Sequence, residues 1–161
     1  MEAAFLRLRG VESVVPGYAG GHAENPSYET VCTGTTGHAE VVRIVYDPEQ
    51  IGFTDLLAVF FTVHDPTTLN RQGNDIGSQY RSAVFYHDAA QEQAARQTVA
   101  ELEKEQVWSD PIVTEIAPLE NYHEAEKYHH NYYALHGNQP YCQAVIPPKL
   151  AKLRARFAHL L

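Results

Sequence analysis

The sequence predicts an α+β protein. Short runs of β-branched and aromatic residues alternate with segments whose apolar residues recur at helical spacing. The resulting order is helix, strand, strand, helix, strand, helix, strand, helix, helix. That order suits helices packed on a mixed or antiparallel sheet better than a run of crossover units. No internal repeat and no linker divides the 161 residues, so a single domain spanning the whole chain is expected.

Each element has a local reason. Met1, Ala4, Phe5 and Leu8 follow helical spacing, and Gly10 is placed to end that helix. "VESVV" reads as a short strand. From Pro16 to Gly37 the chain holds five Gly and two Pro, so a long loop is expected there, and long ordered loops tend to be functional. "EVVRIVYD" is the next strand. Thr54 is read as the cap of an apolar helix, "DLLAVFFTVH". "DPTTLNRQGNDIGSQYR" is a second polar loop, and "SAVFYHD" a strand. Asp88 caps an amphipathic helix reaching about Gln106. "PIVTEIAP" is the last strand. A His-rich helix is expected in "YHEAEKYHHNYYALH". "GNQPYCQAVIPP" reads as a loop because of its prolines, and "KLAKLRARFAHLL" as a basic helix.

Composition narrows the function classes. The chain is 44% hydrophobic and 20% charged, with net charge -8. That balance argues against nucleic acid, which binds basic faces, and against an anionic membrane surface. Leu56 to Phe61 is the longest apolar run and is far too short to span a bilayer. No secretory signal is visible. The two cysteines, Cys32 and Cys142, make no disulfide framework, and a cytoplasmic, reducing setting is expected.

Four groups of residues could carry chemistry. Glu40 sits at the mouth of a strand behind "GTTGHA". Partial burial would raise its pKa and make it a general acid; the alternative is a surface glutamate beside a turn. Tyr28, Tyr80 and Asp75 arrive from the two polar loops. With Glu40 they could form one polar cluster whose phenols donate to a dipolar oxygen, or they could be half-buried packing residues. His123, Glu126 and His130 fall at i, i+3 and i+7, near one face of the expected helix. No metal-binding pair such as H-E-x-x-H occurs, so a solvated helix is the plainer reading. Cys142 lies in the expected loop past a helix end, and Cys32 in the first loop near Tyr28. Neither shows an obvious cationic neighbour to lower its pKa. No phosphate loop, dinucleotide turn or nucleophile elbow is present.

The segments "GYAGG", "NPSYETVCTGTTGHAEVVRIVYDP", "HDPTTLNRQGNDIGSQYRSAVFY" and "NQPYCQAV", taken in order, resemble peptide methionine sulfoxide reductase A from Met1 to about Pro148. The resemblance implies a ferredoxin-like sheet core with helices on one face and long functional loops. It implies reduction of methionine-S-sulfoxide, free or in proteins. A cysteine thiolate attacks the sulfoxide sulfur and becomes a sulfenic acid. A second cysteine closes a disulfide, and thioredoxin, or dithiothreitol in its place, reduces it. No metal or organic cofactor is implied, and a monomer is expected.

By motif, Glu40 corresponds to the general acid. Tyr28 and Tyr80 correspond to donors to the sulfoxide oxygen, and Asp75 to the polar side of the pocket. Cys142 lies where some members keep a resolving thiol, and Cys32 at a position often occupied by a cysteine without a catalytic role. The family's nucleophile lies in a "GCFW" motif that opens a helix, and this motif is absent from the sequence. "MEAAFLRLRGVESVV" resembles the family segment directly after that motif. The nucleophile and the first family strand are therefore expected to be missing, with Met1 an internal methionine or a first segment lost. The chain as written is expected to be inactive. The alternative is a non-catalytic relative that binds methionine sulfoxide peptides.

Overall fold

The computed structural model describes residues 1–126 and 140–161, with residues 140–146 described by their backbone alone. The elements are α1 (Glu2–Phe5), β1 (Val11–Ala19), α2 (Tyr28–Cys32), β2 (Ala39–Tyr46), α3 (Phe53–Val63), β3 (Arg71–Gln72), β4 (Asp75–Ile76), a 3-10 turn (Ser78–Tyr80), β5 (Ala83–Tyr86), α4 (Ala89–Lys104), β6 (Glu115–Pro118), β7 (His123–Glu124), α5 (Pro140–Phe157) and a closing 3-10 turn (Ala158–Leu160). Helices and sheets are mixed along the chain, as an α+β protein requires. β1 lies between β2 and β7 in a three-stranded sheet, β3 and β4 form a hairpin, and β5 pairs with β6. The β1–β7 pairing is antiparallel, with Tyr18 opposite His123, whereas β5–β6 is parallel, with Ala83 opposite Glu115.

The chain divides into two compact units. The first comprises Met1–Pro16, Val42–His64 and Ala125–Leu161. Its core gathers Phe5 and Leu8, then Val14, Ile51, Leu56, Val59 and Val63, and Leu150 and Leu153 from α5. Burial of these side chains drives the packing of α1, α3 and α5 on one another. The second unit comprises Gly17–Val41 and Asp65–Glu124. In it α4 packs on β5 and β6, with Ala95 fully buried. This unit also buries polar side chains: His38, Thr36, Ser82 and the Gln79 amide nitrogen are hydrogen-bonded, as buried polar groups generally are, while Gln79 Oε1 is left without a partner among the described residues.

Several expectations change in the structure. The long first loop is shorter than composition suggests. β1 runs through Pro16 to Ala19, and Tyr28–Cys32 forms a helix. Ser27 caps that helix by accepting from Thr30 N–H at 3.2 Å, while Thr30 Oγ1 accepts from Ser27 N–H at 2.8 Å. α3 starts after Gly52 rather than at a Thr54 cap, because the Asp55 carboxylate accepts from Gly52 N–H at 3.0 Å. The second polar loop contains the β3–β4 hairpin and a 3-10 turn. Asp88 caps α4 as expected, accepting from Gln91 N–H at 2.8 Å.

The expected His-rich helix is not found at its start, where His123 and Glu124 form β7 and Ala125 and Glu126 follow outside any helix; residues 127–136 of it, including His130, lie outside the described residues. α5 begins at Pro140 and continues through Pro147 and Pro148. A proline at the first helical position is favourable because its missing N–H would have no helical partner there. The later prolines lack that excuse, and burial of Leu150 and Leu153 in the first unit's core outweighs them. Cys142 therefore lies on the first turn of α5 and not in a loop. Among the described residues, no helix is long and apolar enough to cross a membrane.

Candidate active site

Glu40, Tyr28, Tyr80, Asp75 and Cys32 all belong to the second unit. Each is placed at the end of an element. Glu40 is the second residue of β2, Asp75 the first of β4, and Tyr80 the last of its 3-10 turn. Tyr28 and Cys32 are the first and last residues of α2. At an element's end the backbone is fixed on one side while the side chain meets a loop or water.

Glu40 is the chemically distinctive member. Its carboxyl is pushed up to about 7, first by burial and then by the negative charge of Asp75. Water still reaches the residue, which is exposed by surface area. Solvent therefore screens part of the effect. Near neutral pH a large fraction of Glu40 holds a proton.

Both phenols hold their protons too. Tyr28 is pushed up to about 12, chiefly by a hydrogen bond with the Cys32 side chain and by that group's charge, with smaller effects of burial, Tyr80 and Glu40. A hydrogen bond that raises a phenol's pKa is one in which the phenol donates. Tyr80 is raised by burial first, then by Glu40, Cys32 and Asp75. These interactions bring Glu40, Asp75, Tyr28 and Tyr80 into one electrostatic cluster. They also place Cys32 in it, which the sequence does not. The thiol is free and exposed. Helical spacing explains it: Tyr28 and Cys32 stand four residues apart, on one face of α2. The Ser27–Thr30 capping pair is the sequence signal for that helix.

The backbone around the acid is fixed by buried polar groups. His38 Nδ1 accepts from Gly21 N–H at 3.1 Å, so its proton lies on Nε2, which donates to Ala23 C=O at 2.8 Å. His22 N–H donates to Thr36 C=O at 3.0 Å. Gly21 is required there, since a Cβ would lie 2.3 Å from His38 N. Gln79 Nε2 donates to Cys32 C=O at 3.3 Å and ties the end of α2 to the turn bearing Tyr80. Gly21, His38 and Gln79 fall within the segments that carry the family resemblance, but the sequence reading gives them no role of their own.

Of the histidine candidate, His123 lies in β7 and not on the expected helix, and His130 lies outside the described residues. His123 Nε2 bonds Asn121 Oδ1 at 2.8 Å, and its ring meets His38 edge to face at 5.7 Å. Among the described residues, no group of three His, Cys, Asp or Glu side chains is arranged to hold a metal ion.

The family described as peptide methionine sulfoxide reductase matches residues 1–160. A peptide methionine sulfoxide reductase MsrA of Chromobacterium violaceum is 57% identical over all of this chain and 92% of its own length. An MsrA of Saccharolobus solfataricus is 51% identical over 97% of this chain and 87% of its own. Among solved structures, methionine sulfoxide reductase A of Corynebacterium diphtheriae superposes with a TM-score of 0.80 at 38% identity, covering 86% of this chain and 70% of that one. Reduced Mxr1 from Saccharomyces cerevisiae gives 0.77 at 35% identity, covering 83% of this chain and 76% of that one. The chain therefore belongs to the peptide methionine sulfoxide reductase family, a family of oxidoreductases.

Proposed function

We propose that the second unit's cluster acts on methionine-S-sulfoxide, free or in a peptide, with Glu40 as general acid and Tyr28 and Tyr80 as donors to the sulfoxide oxygen. The observation that carries this reading is a carboxyl raised to about 7 beside two phenols that keep their protons. The S–O bond is strongly dipolar, with negative charge on oxygen. That oxygen grows more basic as a thiolate attacks sulfur, so preorganised donors help most in the transition state. Asp75 contributes by keeping the proton on Glu40.

In a relative that carries the "GCFW" cysteine, that thiolate bonds to the sulfoxide sulfur, and the residue corresponding to Glu40 protonates the oxygen. The thioether leaves while that oxygen passes to the enzyme sulfur as a sulfenic acid. A second thiol, for which Cys142 is the candidate, displaces water and closes a disulfide. Two electrons from thioredoxin, or from dithiothreitol, restore the thiols. The scheme needs neither metal nor organic cofactor, and we infer a monomer working in the cytoplasm. The sequence holds only Cys32 and Cys142 and no "GCFW". We therefore propose that these 161 residues bind sulfoxide but turn it over far more slowly than a relative with that motif. A non-catalytic sulfoxide-binding role rests on the same observation.

Calorimetry with a methionine-S-sulfoxide peptide, alongside dithiothreitol-driven turnover, tests both parts. Binding is expected to weaken about 5–10-fold in Tyr28→Phe and in Tyr80→Phe, the effect of one lost hydrogen bond. Absent binding would defeat the site assignment. Turnover matching an intact relative would defeat the assignment of slow turnover.

A further inference from the structure

Arg81 takes no part in the chemistry just described, yet its guanidinium is used on three sides. Nη1 donates to Ser78 C=O at 2.9 Å, and Nη2 donates to Gly37 C=O at 3.0 Å. Nε donates to Glu115 Oε2 at 3.2 Å. The Arg81 side chain is only 14% exposed, against 42% for Glu115. Ser78 opens the turn that Tyr80 closes, and Gly37 lies just ahead of Glu40 on the chain entering β2. One planar fork thus spans the two segments that carry the acid and a phenol. Gly20 makes room for it, since a Cβ there would lie 3.3 Å from Nη2 and 2.5 Å from Phe85 Cζ.

We propose that Arg81 is a positioning residue that sets the placement of Glu40 relative to Tyr80 by clamping the carbonyls of Gly37 and Ser78, with Glu115 holding the guanidinium in its plane. This rests on the reading that Glu40 and Tyr80 meet the same sulfoxide oxygen. The clamp works through geometry and not through charge. The raised pKa of Glu40 has two causes, burial and Asp75, and Arg81 is not among them. The two mechanisms predict opposite signs. Loss of a nearby positive charge would raise Glu40 further. Loss of a clamp lets the loop drift, opens the carboxyl to water and lowers it toward 4.5. Lysine keeps the charge but, as a compact ammonium, cannot reproduce the planar fork.

The test titrates Glu40 by carboxyl NMR in the whole chain and in Arg81→Gln, Arg81→Lys and Glu115→Gln, and measures binding of a methionine-S-sulfoxide peptide to each. Arg81→Gln and Arg81→Lys are both expected to lower the Glu40 pKa by about one unit and to weaken binding about tenfold, as for a lost charge-assisted hydrogen bond. Glu115→Gln leaves both carbonyl contacts available and carries the test if Arg81→Gln fails to fold. It is expected to shift both readouts the same way by a smaller amount. A rise in the Glu40 pKa, a Lys variant that matches wild type, or a fall in melting temperature with pKa and affinity unmoved would overturn the clamp. If Glu40→Gln and Tyr80→Phe leave peptide binding unchanged, the functional reading fails, while the titration still decides the clamp.

Discussion

Tyr28 donates a hydrogen bond to the Cys32 side chain from one turn away on the same short helix, and this contact is the largest single cause of the high pKa of Tyr28. A five-residue helix thereby holds a phenol as a proton donor and a thiol as its acceptor at the edge of the acid cluster. The pair links a local feature, the Ser27 cap, to the electrostatics of the site.

Cys32→Ala removes that acceptor. Tyr28 is then expected to titrate well below about 12, closer to the ordinary 10 of a phenol, with burial, Tyr80 and Glu40 holding it slightly above. Ultraviolet difference titration against Tyr28→Phe measures it. An unchanged Tyr28 would show that the thiol is not its partner.

Ser27→Ala removes the cap from α2. A cap is worth about 1 kcal/mol, and so short a helix has little cooperativity of its own. Amide exchange across Tyr28–Cys32 is expected to quicken about fivefold, with exchange in α4 unchanged. Equal protection in both proteins would show that packing, not capping, holds α2.

Glu40 also makes stability depend on pH. Its folded pKa of about 7 lies above the ordinary 4.5, so between those values the folded state binds more protons than the unfolded state. The group's contribution therefore falls as pH rises through that window. Glu40→Gln removes the effect. Relative to wild type, it is expected to gain on the order of 1 kcal/mol between pH 5 and pH 8. This is well under the unscreened value, because water reaches the carboxylate. Urea unfolding at both pH values checks it, and an equal wild-type–mutant difference at the two would contradict it.

Much of the fold and site can be read in the sequence, and the rest is hidden for physical reasons. Periodicity gives the β2 strand, and one side-chain oxygen gives the Asp88 cap of α4. Glu40, Tyr28, Tyr80 and Asp75 group together in the sequence reading, and they do share one electrostatic environment. α2 escapes notice because Gly and Pro on either side of it read as loop, so Cys32 is placed near Tyr28 in a loop but not one helical turn away on the same face. α5 begins earlier than the sequence suggests because Pro147 and Pro148 look like a stop, while the burial that sustains the helix comes from Leu150 and Leu153. Arg81 and His38 do not stand out because their partners are backbone carbonyls and amides. Such partners leave no pattern of side-chain types to read.

The most direct measurement is the titration of Glu40 itself, by carboxyl NMR of glutamate-labelled protein with Glu40→Gln to assign the signal. An apparent pKa near 7 is expected, falling in Asp75→Asn as one of its two causes is removed. A value near 4.5, unchanged in Asp75→Asn, would contradict the claim that this carboxyl is held protonated to serve as the acid.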